Sequence, residues 1–165
     1  MEDLKRGQCT FMLLKDEVEM LRRVPLFSGV APAKLKLLAF TSDRVSYKAG
    51  QTLFRQGDPA DAAYVILTGG ADILSETPSG EIKVAEIEHD SIVGEIAILC
   101  DVSRTATVRA NSALEALRIS KDHFFKLLSD YPEMTIEIMR VLADRLSHTT
   151  TELSEARSRQ KQTAK

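Results

Sequence analysis

Apolar positions change period twice along this chain of 165 residues. From Asp16 to Arg23, Val18 and Leu21 fall at helical spacing with the neighbouring Leu14, and the run stops before Pro25. Ala31-Pro32-Ala33 opens a second helix, with Pro in its first turn and Leu35, Leu37, Leu38 and Phe40 as its apolar positions. From Arg44 the pattern shortens to brief runs: Val45/Tyr47, Leu53/Phe54, Tyr64-Val65-Ile66-Leu67, Ala71/Ile73/Leu74 and Ile82/Val84/Ile87. Lys48-Ala49-Gly50, Gln56-Gly57-Asp58-Pro59, Gly69-Gly70 and Pro78-Ser79-Gly80 separate them, and Thr105–Ala110 and Ala113–Ile119 supply the last strands. Short runs at regular spacing with Gly-rich turns predict an antiparallel sandwich or barrel. Helix returns at Ser120-Lys121-Asp122, an N-cap-like start followed by Phe124, Phe125, Leu127 and Leu128, and Pro132 opens a long helix to about Leu153. The predicted class is α+β, mainly β: an antiparallel, jelly-roll-like β-roll flanked by N-terminal helices and a C-terminal helix pair.

The long helix carries two apolar sets. Thr135, Met139, Leu142, Leu146, Thr149 and Leu153 alternate spacings of 4 and 3, the seam of a coiled coil. Ile136, Ile138, Val141 and Ala143 form a second set that can face the β-roll. Two apolar faces serve either one intrachain core or two partners, and the 132–153 helix is expected to form a homodimer through its seam.

The length fits one domain with a proper core. This domain is expected over residues 15–153, with a flexible segment at 1–14 and a polar tail at 154–165. A net charge of −2 gives bulk electrostatics no pull toward DNA or a membrane, and no apolar stretch approaches a membrane span. Met1 is followed by charged residues, and Phe11-Met12-Leu13-Leu14 is too short for a signal or span, so the expected compartment is the cytoplasm. Cys9 and Cys100 are the only cysteines and read as reduced thiols.

Candidate chemistry concentrates in Gly94-Glu95-Ile96-Ala97-Ile98-Leu99 and the following Ser103-Arg104-Thr105-Ala106-Thr107-Val108. A Gly opens a short helical turn whose first amides favour an anion, and an Arg brought beside them adds a planar phosphate donor. Glu95 repels a phosphate and reads instead as an acceptor for hydroxyls of the same ligand. Phosphate and sugar hydroxyl together suggest a nucleotide.

This segment resembles the phosphate-binding cassette of the cyclic nucleotide-binding domain family, and the likeness runs from about Val24 to Leu153. The resemblance implies that Glu95 binds the ribose 2′-hydroxyl and Arg104 the cyclic phosphate, while Gly94, Ile96 and Ala97 bring backbone to the ligand. The family usually has an aromatic before the Gly and a Pro before the Arg; here Val93 and Ser103 stand there, and Ser103 leaves φ unfixed at that turn. Thr105 matches a position that contacts guanine in members selective for cyclic GMP. In the catabolite activator protein subfamily, adjacent hydroxyl residues late in the long helix meet adenine, one from each subunit; Thr149 and Thr150 match them and favour cyclic AMP. A bacterial source is implied by the same helix end.

His89, His123 and His148 show no ligand spacing, no nucleophile sits beside a plausible base, and neither a metal nor catalysis is expected. The expected function is a non-catalytic receptor for cyclic AMP, or cyclic GMP, that moves its C-terminal helices and regulates an effector protein. After Leu153 the polar tail is too short for a DNA-reading module, so DNA binding is not expected of this chain alone. The alternatives are the sensor part of a Crp/Fnr-like transcription regulator lacking its helix-turn-helix, and a degenerate dimeric interaction module that no longer binds nucleotide.

Overall fold

The computed structural model describes residues 16–163. The 1–14 segment, with Cys9 and the Phe11–Leu14 run, lies outside the described residues. Helix α1 (residues 16–23) and a 3-10 turn at Pro25–Phe27 precede α2 (Pro32–Thr41). Strands β1 (Asp43–Tyr47), β2 (Thr52–Phe54), β3 (Ala62–Thr68), β4 (Gly70–Thr77), β5 (Gly80–Glu88) and β6 (Ser91–Val93) follow. The short α3 (Glu95–Leu99) interrupts them before β7 (Thr107–Ala110) and β8 (Leu114–Ser120), and α4 (Lys121–Asp130) and α5 (Pro132–Thr163) close the chain. The strands form two four-stranded antiparallel sheets, ordered β1-β8-β3-β6 and β2-β7-β4-β5.

β3 and β8 explain how helices and roll share one sheet. Alternate side chains of a strand leave opposite faces. Ala63, Val65 and Leu67 of β3, with Leu117 and Ile119 of β8, pack against Leu21, Leu35, Leu38, Phe124 and Met134 of the helices. Ala62, Tyr64 and Ile66, with Leu114 and Ala116, point into the roll against Ala71 and Val108 of the other sheet. Both faces are covered, which is why β3 reads as an unbroken apolar run. Each fully buried Leu or Phe contributes about 1.5–3 kcal/mol, whereas an exposed ion pair adds about 0–1, so these two clusters hold the molecule together.

Local chemistry sets the boundaries. Ser120 caps α4, its hydroxyl accepting from the His123 amide at 3.4 Å. Gly69, at φ +79, makes the β3–β4 turn, where an added Cβ would lie 2.2 Å from the Ala113 carbonyl oxygen. The last strand pair differs slightly from expectation, since β7 begins at Thr107 rather than Thr105.

α5 departs further from the sequence reading. It continues past Leu153 to Thr163. Its core-facing row is Met134 and Ile138, with Leu142 packed against the same cluster, while Ile136 and Ala143 are exposed. Leu142 therefore leaves the expected seam. The outward apolar positions are Ile136, Met139, Leu146 and Leu153, and Ala143 and Thr150 complete a 3–4 spacing between them. The face that meets the body is rotated by about one position from the expected one.

Candidate functional site

β6 delivers the chain to Gly94, whose φ of +84 turns it into α3. Ala97 and Ile98 are buried, which pins this short helix to the sheet. Glu95, the first residue of α3, is 1% exposed, and Arg104 is 2% exposed. The Arg104 backbone is clamped from both sides by the β2–β3 turn: its N–H donates to the Asp58 carbonyl and its carbonyl accepts from the Gly57 N–H, each at 2.8 Å. That clamp supplies the order that Ser103 does not.

The Arg104 guanidinium lies over the Phe54 ring, 4.1 Å from its centroid. Nη1 donates to the Gly94 carbonyl at 3.0 Å, and Nη2 donates to the Ala62 carbonyl at 2.7 Å and to Asp61 Oδ1 at 3.2 Å. Burial works against the Asp61 carboxylate, but Arg118, at 2.5 Å, and Arg104 together hold its pKa below the usual value. Arg104 thus sits in a rigid frame of two carbonyls, one ring and one shared carboxylate.

Glu95 is held from the long helix. Arg145 Nη1 donates to Glu95 Oε1 at 2.5 Å and Nη2 to the Ile92 carbonyl at 2.6 Å. Burial pushes the Glu95 carboxyl up, opposed by the charges of Arg145 and Arg104. Glu95 Oε2 and Arg104 Nε are buried with no hydrogen-bond partner among the described residues. An unmet buried polar group costs about 1–3 kcal/mol, more when charged, so one acceptor and one donor stand ready for a ligand with hydroxyl and anionic groups.

Gly94, Glu95, Ile96, Ala97, Arg104 and Thr105 line one cavity of about 80 Å³, together with Phe54 and Arg145. Arg145 of α5 forms part of its wall. Thr149 and Thr150 do not line it; they are exposed, their hydroxyls donating to the Arg145 and Leu146 carbonyls one turn back. Sequence reasoning missed Arg145. It precedes Thr149 by one helical turn and shares its face, but nothing in the sequence pairs that face with Glu95, fifty positions away. Phe54 had no signal beyond strand alternation. Among the described residues no group of His, Cys, Asp and Glu could hold a metal ion, and no helix is long and apolar enough to cross a membrane.

A double-layered β-roll with a buried Glu–Arg cassette, tied by an ion pair to a long C-terminal helix, defines a ligand-sensing domain. The chain belongs to the cyclic nucleotide-binding domain family, whose model matches residues 44–131. It is 30% identical over 138 residues to the CRP-like cAMP-activated global transcriptional regulator of Mycobacterium tuberculosis, covering 83% of this chain and 62% of that protein. It is 32% identical to the cAMP-dependent protein kinase regulatory subunit of Aspergillus niger, over 66% of this chain and 26% of that one. Among solved structures, the sensor domain of the transcriptional regulator DNR from Pseudomonas aeruginosa superposes with a TM-score of 0.73 at 26% identity, covering 85% of this chain and 95% of that one. The chain spans less than two thirds of the length of these two full-length relatives.

Proposed function

We propose that this chain is a non-catalytic receptor domain for cyclic AMP, with cyclic GMP as the second candidate, acting in the cytoplasm to regulate an effector protein. The observation that carries this reading is the buried pair of Glu95 and Arg104, opposite in charge on one cavity wall, each keeping one polar atom without a protein partner. A cyclic phosphate takes a donor and a ribose hydroxyl takes an acceptor; α3 holds the acceptor and the β2–β3 turn holds the donor. The names of the M. tuberculosis and A. niger relatives, both cAMP-responsive, favour cyclic AMP.

Arg145 holds the carboxylate that the ribose needs, so nucleotide binding redistributes the Glu95 interaction and acts on α5 directly. Thr149, one turn beyond Arg145 on the same face, is then the group of α5 nearest the base. Thr150 falls on the outward row with Met139, Leu146 and Leu153, where a homodimer would bring it to the neighbouring copy's site. This homodimer is part of the proposal.

Calorimetric titration with cyclic AMP and cyclic GMP tests the reading. The wild-type chain is expected to bind at micromolar affinity or tighter. Arg104→Ala should weaken binding by about tenfold or more, the scale of about 1.5–3 kcal/mol for charged hydrogen bonds. Because Arg104 also supports the Gly94 and Ala62 carbonyls, thermal unfolding checks that the variant is folded, and Glu95→Gln serves as a second, shape-conserving variant. Unchanged affinity in both variants overturns the assigned roles. No binding of either nucleotide to the wild type transfers support to the dimeric interaction module. The sensor part of a Crp/Fnr-like regulator remains a second reading, favoured by the M. tuberculosis relative of which this chain spans 62%.

A further inference from the structure

A more spacious groove, of about 210 Å³, lies away from the cassette between α2 and α4. Its floor is apolar, built from Leu37, Leu38, Leu127 and Tyr131. Its rim is basic, with Lys34 from α2 and Lys126 and His123 from α4, against one lining carboxylate, Asp130. Lys34 reaches across the groove, its Nζ 6.0 Å from the centroid of the Tyr131 ring.

α2 carries further exposed apolar surface beside this groove. Leu35, Leu38 and Ala39 are buried beneath it, yet Leu37 is 57% exposed and Phe40 77%, the highest value among the exposed large hydrophobic residues described. A helix apolar on both sides has two partners. The body of the domain is one, and the described residues do not supply the other. Its sequence, from Pro32 to Thr41, contains Lys34 and Lys36 and no acid.

We propose that this groove is the docking surface for an acidic amphipathic helix of a partner protein. One large apolar side chain enters between Leu37, Leu127 and Tyr131, a second row covers Phe40, and carboxylates meet Lys34 and Lys126. A channel between two helices with an apolar floor suits a helix laid along it, and the excess of cations on the rim selects an anionic one. The surface is separate from the cassette and does not depend on the nucleotide reading. It goes beyond that reading by placing the partner. Tyr131 joins α4 to α5, so one wall of the groove belongs to the same helix pair that carries Arg145.

The test uses the full chain and a fluorescent peptide of about 14 residues, held helical by a hydrocarbon staple because a free helix of that length is marginal, with Leu at i, i+3, i+4 and i+7, Glu at the flanking positions and Ala elsewhere. A second peptide replaces every Glu by Lys. The acidic peptide should bind, more weakly as salt rises, and the basic peptide should not. Lys34→Glu with Lys126→Glu should weaken acidic-peptide binding by about tenfold or more, and Phe40→Ser, a change at an exposed position, should weaken it as well. Thermal unfolding reports whether the variants keep the fold. Equal binding of both peptides, undiminished binding by the variants, or no binding of the acidic peptide overturns the proposal. Self-association of the wild type that Phe40→Ser abolishes assigns the groove to a second copy and overturns it too.

Discussion

Gly94 sets the cassette geometry before either charged residue acts. Its φ of +84 is open to glycine, and a Cβ there would stand 2.7 Å from Arg104 Nη1 and 3.2 Å from the Phe54 ring. Gly94→Ala is therefore expected to destabilise the fold by about 1–3 kcal/mol, the scale of a left-handed non-glycine residue. It should also displace Arg104 and weaken nucleotide binding; urea unfolding and titration of one sample read both. Loss of neither overturns the packing argument. Gly94, Glu95 and Arg104 were legible because eleven residues contain them all and their chemistry is local. Arg145 was not, because its contact with Glu95 crosses fifty positions, and periodicity assigns a helix residue to a face without naming what that face meets.

At the scale of elements, α5 faces two directions. Met134 and Ile138 enter the body, and Met139, Leu146 and Leu153 line the outside. The sequence seam mixed the two, because Leu142 is as apolar as its neighbours and only the position of the β-roll shows that it turns inward. Leu146, 69% exposed, is the position to test. Leu146→Glu puts a charge on the outward row without touching the core, and should convert a dimer to a monomer in sedimentation while leaving thermal unfolding of the monomer nearly unchanged. A dimer that survives the substitution removes α5 as the interface. The strands were easier to read than the helix: β3 kept its continuous apolar run because both faces are buried, and the turn glycines marked its ends.

For the whole molecule, stability rests on two apolar clusters sharing one sheet, and Tyr47 reports on the inner one. It packs against that cluster from β1, where burial and the neighbouring Tyr64 push its phenol up from an ordinary 10.0 to about 12. Below the ordinary value, folded and unfolded chains both keep the proton. Between 10.0 and about 12 the unfolded chain gives it up first, so stability falls as pH rises across that window. Tyr47→Phe should flatten this alkaline slope in urea titrations taken at several pH values, and an unchanged slope removes Tyr47 as its source. The length of α5 has a mechanical meaning at this scale. From Arg145, where it is fastened to the cassette, to its last described turn at Thr163, a rise of about 1.5 Å per residue makes an arm of roughly 27 Å. A tilt of about 10° at the fastening sweeps the far end through roughly 5 Å, the pitch of one helical turn. If nucleotide binding shifts Arg145 as proposed, α5 acts as a lever, and whatever is held at its tip feels a stroke larger than the change that starts it.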